Sequence, residues 1–416
     1  MSANDTVTSS AASLEELYRD LHRHPELGFQ EHRTASIVAE RLTALGYEVT
    51  SGVAQTGVVA ILANGPGPTA LVRADMDALP VREETGLDYA STATATDASG
   101  TTVPVSHACG HDLHTTCLLG AAAQLAADRS SWTGTLMLVF QPAEELGSGA
   151  QALVDDGLFE RFPKPDVVLG QHVAPLPAGK IAAHAGAAYA GSDSLRVRLI
   201  GQGAHGSMPQ NSIDPVVMAA ETVLRLQTIV SRELASTDVA VLTVGALHAG
   251  NAANVIPGEA TLLLNIRSYT PAVRQHILES VQRIAHGVAA TSGAAHVPLI
   301  EEIERFPVVV NDPEALATTF DAFRDWLGAD QLLEPGAGAG SEDVGILATS
   351  AGAPLSFWLL GGSDPSLFTI GDMTDPALLT IPSNHSPHYA PVIEPTLSIG
   401  ATALVTAART WLAPAR

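Results

Sequence analysis

The sequence predicts an α/β protein in two domains, and three observations predict it. Residues 57–63, 70–73, 134–140 and 166–169 are short apolar runs bounded by turn residues, which read as strands buried on both faces. Helical patterns at 14–27, 31–45 and 113–128 accompany them. Near Ala190 the pattern changes: SDSLRVRLIGQ alternates apolar and polar residues, as a strand with one wet face does.

Buried strands separated by helices make a largely parallel sheet covered on both sides. The middle of the chain reads differently. A strand at 192–202 is followed by a helix at 214–233, strands at 240–247 and 259–267, a helix at 271–290 and a strand near 295–300. That βαββαβ order, with one apolar face per strand, fits a small α+β sandwich. The expected domains are therefore 1–188 and 304–416 as two parts of one α/β domain, interrupted by 189–303. From Asn311 onward helix–strand alternation returns, punctuated by EPGAGAGSED and PSNHSPHYAP.

The totals narrow the function. A chain of 416 residues, 46% apolar and 16% charged, can bury two substantial cores. A formal charge of -23 leaves no basic surface for phosphates, so nucleic acid is excluded as a partner. The start, MSANDTVTSS, lacks the basic-then-apolar order of a secretory signal, and no long apolar stretch suggests a membrane partner. Two cysteines make no disulfide framework, so a cytoplasmic protein is expected.

Ligands of an α/β sheet collect beyond the carboxyl ends of its strands. After 70–73 come Asp75 and Asp77, after 134–140 come Glu144 and Glu145, and after 166–169 comes His172. SHACGHDLHTTC places Cys109 and His111 at the start of the helix expected from 113. Each residue alone has a plainer reading: Asp112 as a helix cap, paired glutamates as a solvated face, a lone histidine as packing. Together they crowd four carboxylates, a thiol and two imidazoles onto one edge. Such a cluster repels itself unless cations neutralise it, and two divalent metals would do so.

Other cysteine chemistries fit less well. HACGH offers one ligand pair but no CxxC, which argues against a zinc finger and a dithiol redox pair. Neighbouring carboxylates would raise a nucleophilic thiol's pKa. Cys117, inside TTCLLGAAAQL, reads as core.

RADMDALP, HACGHDLHTT, FQPAEELGSGA, GQHV, GAHGSMP, NVIPGE and NHSPHY occur in this order between His22 and Pro391. With them the chain resembles the metal-dependent amidohydrolases of the aminoacylase and carboxypeptidase type. It is most similar to the branch of hippurate hydrolases, N-acyl-amino-acid deacylases and auxin-conjugate hydrolases. HACGHD with QPAEE is the specific part. The resemblance implies a catalytic domain interrupted by a lid and dimerisation domain, hence a homodimer. It implies two metal ions per subunit held by Cys109, His111, Glu145, His172 and His385, with Glu144 as general base. Asp77 would orient a ligand from behind. His205 would hold the oxyanion in the partner subunit's site, while Asn254 and Arg267 would meet the substrate carboxylate. For Arg267 a strand-surface salt bridge is an equal alternative, and for Asn254 a turn position. A thiolate ligand favours Zn, Co or Ni over Mg, with Mn also compatible.

The expected reaction is hydrolysis of an N-acyl-amino acid to a carboxylic acid and a free amino acid. A dipeptidase or carboxypeptidase using the same site, or a catalytically inactive binding relative, are the alternatives. His107, His114 and His388 read as supporting groups, and His22 and His24 as structural.

Overall fold

The computed structural model describes residues 14–368 and 380–414. Two compact units emerge: Met1–Ala188, Val310–Gly336 and Asp343–Arg416 make one, Tyr189–Val309 with Ala337–Glu342 the other.

A nine-stranded sheet forms the first unit. Its order is Glu48–Val53, Gly57–Asn64, Trp132–Gln141, Thr69–Asp75, Val167–Pro177, Leu355–Ser363, Ile181–Ala182 and Leu332–Leu333, with Ala413–Pro414 paired to Trp132–Gln141 off this path. The four strands at its centre, from Trp132–Gln141 to Leu355–Ser363, run parallel. Their flanks do not: Glu48–Val53 and Gly57–Asn64 run antiparallel to their neighbours, as does Ile181–Ala182 against Leu355–Ser363. The sheet is thus mixed, which corrects the largely parallel sheet expected from the apolar runs. Only residues 54–56 join the first two strands, too few for the crossover that a parallel pair requires. Ala54 and Gln55 take the positive φ of such a tight turn, at 50° and 75°.

Helix His111–Ala127 is buried on nearly every side, which explains its lack of a polar stripe. It packs against Thr396–Trp411. The crossing is close: a Cβ on Gly400 would lie 2.7 Å from the Cys117 sulfur, so Cys117 is packing, as its sequence context suggests. The first helix ends at residue 23 rather than 27, because Pro25 disfavours a helical residue before it. Trp132, Phe140, Trp358 and Tyr18 fill the core.

The second unit carries a four-stranded antiparallel sheet in the order Ala240–Ala249, Glu259–Ser268, Gly191–Ile200 and Leu299–Phe306. Helices Pro215–Thr228 and Pro271–Thr291 pack on it. Each opens with an acceptor side chain and a proline, Asp214 bonding the Val216 N–H and Thr270 that of Val273. Burial alternates along Glu259–Ser268, so Leu262, Leu264 and Ile266 meet Met218, Ile277 and Val281 in a separate core. The last strand begins at Leu299, later than expected, where it first pairs with Gly191–Ile200 through Arg198. Among the described residues no helix is long and apolar enough to cross a membrane.

Candidate metal centre and active site

Three parallel strands deliver the acidic and imidazole groups. Thr69–Asp75 ends in Asp75, with Asp77 just beyond; Trp132–Gln141 leads to Glu144 and Glu145; Val167–Pro177 carries His172. Helix His111–Ala127 starts where Gly110 adopts φ 84°, and a Cβ there would lie 2.4 Å from a Val173 methyl. Asp112 is not the cap itself, but its carboxylate accepts the Leu113 N–H.

His111 sits at the centre. Its Nδ1–H donates to Asp77 Oδ1 at 3.2 Å, which fixes the proton on that nitrogen. Nε2 faces three carboxylates, 3.8 Å from Glu145 Oε1, 3.9 Å from Glu144 Oε2 and 3.7 Å from Asp75 Oδ2. Both His111 Nε2 and Glu145 Oε1 are buried and meet no hydrogen-bond partner. Buried orphans of this kind are rare and costly, and a cation between them would satisfy both. Cys109 joins them, since its sulfur, a His111 nitrogen and a Glu145 oxygen all lie within 4.8 Å of one another. His172 donates Nδ1–H to the Val173 carbonyl at 2.7 Å, leaving Nε2 3.5 Å from the Cys109 sulfur. His385 completes the set, with Nε2 3.3 Å from Glu145 Oε2.

The electrostatics match a site built for positive charge. Burial, then Glu145 and Glu144, push the Cys109 thiol well above its usual range. Burial opposes charge on His111, yet Asp75 and Asp77 outweigh it and lift its pKa to about 10. Burial, reinforced by His114, holds His172 neutral, well below the usual imidazole range. Burial works against the charged form of Glu145, but the His385 hydrogen bond and His111 keep its carboxyl below the usual range. A divalent cation would displace the proton that His111 holds up to about pH 10, answer the carboxylates with its own charge, and favour thiolate over thiol at Cys109.

A second cluster of potential ligands, Asp75, His111, His114 and His172, overlaps the first. Its satisfied bonds argue against Asp75 and His114 as ligands. His114 Nδ1–H donates to Asp75 Oδ1 at 2.5 Å, and its Nε2 accepts the Val173 N–H at 2.7 Å. Asp75 Oδ2 receives the Arg73 guanidinium at 2.7 Å. Arg73 is itself fully buried and also bonds Gln141 and Asp343. Burial disfavours the Asp75 carboxylate, but Arg73 and His111 hold its pKa well below normal. This buried chain was missed from the sequence. The signal was there, because an arginine inside an apolar strand demands carboxylate partners.

The turn carrying the glutamates is fixed through its backbone. Ala143 adopts φ 50°, a region that residues with a Cβ enter reluctantly. Its N–H donates to Glu31 Oε1 at 2.9 Å, and those of Glu144 and Glu145 donate to the two oxygens of Asp77 at 3.1 and 3.0 Å. Glu31 was also missed; it is buried, accepts the Thr56 hydroxyl, and is raised to about 7 by burial and by Asp77. His22, read as structural, bridges Asp112 and Glu83 at 2.6 and 3.0 Å.

His205, Asn254 and Arg267 all lie in the second unit. His205 pairs with Val255 in a two-stranded ribbon, and Asn254 holds the Gly206 N–H through its carbonyl, so these two residues are brought together. His205 is exposed, and its Nδ1 accepts the Ser207 N–H at 3.1 Å, which leaves Nε2–H as a donor. Arg267 bonds Asn265 through Nε, and the Ser341 hydroxyl and Ala339 carbonyl through Nη1.

Comparison with known proteins places the chain. Residues 71–374 match the model of peptidase family M20/M25/M40, and the chain belongs to that family. Hippurate hydrolase of Campylobacter jejuni is 39% identical over 316 residues, spanning 76% of this chain and 79% of that protein. N-acyl-L-amino acid amidohydrolase of Geobacillus stearothermophilus is 38% identical over 281 residues, 67% of this chain and 73% of that one. Among solved structures, the YXEP protein of Bacillus subtilis, described as a dinuclear metal binding peptidase of the M20 family, superposes with a TM-score of 0.76 at 28% identity. That match covers 97% of this chain and 99% of the other.

Proposed function

We propose that this protein is a metal-dependent amidohydrolase that cleaves N-acyl-amino acids to a carboxylic acid and a free amino acid. The observation that carries the reading is the pair of buried, unpartnered atoms His111 Nε2 and Glu145 Oε1, beside the Cys109 sulfur and with Glu144 at their rim. The hippurate hydrolase and N-acyl-amino acid amidohydrolase relatives support the substrate class.

Cys109, His111, Glu145, His172 and His385 would hold two divalent cations, of Zn, Mn, Co or Ni. When bound, these supply Lewis acidity for the amide carbonyl and acidify water. Glu144, adjacent to a ligand candidate and 3.9 Å from His111 Nε2, takes the proton from the attacking water and delivers it to the leaving nitrogen. Asp77 keeps His111 in its Nδ1–H tautomer and holds the Glu144–Glu145 turn. His205, with Nε2–H outward, would donate to the oxyanion in the site of a partner subunit, which makes the working protein a homodimer and the second unit its lid and dimerisation domain. Asn254 and the Nη2 of Arg267 would receive the substrate carboxylate. A cytoplasmic setting, which keeps the Cys109 thiol reduced, completes the reading.

The test is a metal-stripped and refilled sample assayed on acetyl-, benzoyl- and indole-acetyl-amino acids beside a dipeptide panel. Metal-restored turnover of an acylated amino acid is expected. Turnover confined to dipeptides would move the protein to the peptidase branch, and metal uptake with no turnover on either panel would make it a binding protein.

A further inference from the structure

Asn384 precedes the ligand candidate His385, and the sequence motif NHSPHY draws no attention to it. Its side-chain amide nitrogen donates to the carbonyl of Cys109 at 3.2 Å and to that of Val173 at 3.1 Å, and lies 3.6 Å from the Cys109 sulfur. The orientation of this amide is forced. Two carbonyls can only accept, so the NH2 end with its two hydrogens must face them, and the amide oxygen in that place would be repelled. The Val173 carbonyl is shared, because it also accepts the Nδ1–H of His172. One residue on, the His385 N–H donates to the Ala108 carbonyl at 2.7 Å, and His385 holds φ 69°. A side chain with a Cβ keeps that backbone region only where its surroundings impose it.

Cys109, His172 and His385 come from three separate segments: the loop before helix His111–Ala127, the strand Val167–Pro177 and the turn after residue 380. Among the described residues, the Asn384 side chain ties the first two segments to the third through its hydrogen bonds. Resting on the amidohydrolase reading, we propose that Asn384 is a positioning residue: its amide sets the spacing of the Cys109, His172 and His385 segments and shares an N–H with the Cys109 sulfur. A ligand set held in place loses little freedom when a cation enters. Removing the tie therefore loosens the cation more than it loosens the fold. The shared N–H also withdraws charge from the sulfur, so its loss changes the sulfur–metal bond itself.

The experiment compares wild type, Asn384→Ala and Asn384→Asp, each stripped and titrated with Zn²⁺ against a chelating indicator, then loaded with Co²⁺ for absorption spectroscopy. Asn384→Ala should weaken the tighter cation about 10-fold, and Asn384→Asp, which sets a carboxylate against two carbonyls and the sulfur, about 100-fold, the span typical of groups behind a metal ligand. The sulfur-to-cobalt absorption band should shift in both, while the thermal midpoint of the metal-free protein stays near that of wild type. If Asn384→Asp does not fold, Asn384→Ala carries the same measurements. Unchanged affinity and an unchanged cobalt band in folded Asn384→Ala overturn the assignment, as does a metal-free midpoint that falls in step with affinity. Wild-type protein that takes up no cation overturns the amidohydrolase reading and this assignment with it, whereas failure of the variants alone to differ from metal-loaded wild type overturns only the assignment.

Discussion

The ligand edge of the first unit and the His205–Asn254 ribbon of the second both present imidazoles, yet they treat them in opposite ways. At the edge, His111, His114 and His172 are largely buried, and each has its Nδ1–H assigned by a carboxylate or carbonyl. In the ribbon His205 is exposed and is steadied by the Ser207 next to it in the same loop. Burial with every proton placed prepares a group to act from a fixed position. Exposure with one nitrogen held prepares it to act on something that arrives. The candidate ligands of the edge all come from the first unit, whereas His205 and Asn254 lie in the second.

Four substitutions can break or sharpen that contrast. Glu144→Gln should lower kcat by about 10³-fold or more while the metal content measured by elemental analysis stays at the wild-type level. His205→Ala should lower kcat by about 10²-fold with cation affinity unchanged, as for the loss of one oxyanion donor. Mixing it with Glu144→Gln subunits should restore part of the rate, and absence of any rescue would place the ribbon's role within its own chain. Asp77→Asn should weaken cation binding about 10- to 100-fold in a chelator competition, because an amide cannot accept from His111, Glu144 and Glu145 together. The smallest effect belongs to His22, whose pKa is lifted to about 9: burial opposes its charge, but Asp112 and Glu83 outweigh it. A raised folded pKa stabilises fully below the unfolded value near 6.5, and that stability is lost as pH rises through about 9. The melting difference between wild type and His22→Gln should therefore be largest below about pH 6.5, decline through neutrality and shrink away by pH 10.

Much of the ligand edge was legible in the sequence, because buried apolar runs mark where strands end and the chemistry sits just beyond them. What stayed hidden has physical causes. His111 and His114 lie one helical turn apart and look equivalent in a pattern; only their partners, Asp77 for one and Asp75 with the Val173 N–H for the other, distinguish the candidate ligand from the saturated imidazole. Glu31 and Asn384 act on main-chain groups, which leave no mark in side-chain periodicity. The antiparallel flanks of the sheet were hidden because an apolar run carries no direction; only the shortness of the 54–56 connection does.

The turn at Ala143–Glu145 has one further consequence. Its shape is held by Glu31 and Asp77 gripping three successive backbone N–H groups, so the proposed roles of the Glu144 and Glu145 side chains do not depend on their maintaining it. Chemistry and architecture are thereby uncoupled at this corner. A designer could exchange Glu144 and Glu145 for other acids, amides or imidazoles and retain the same backbone, which makes the corner a natural place to graft a chosen reaction onto this scaffold.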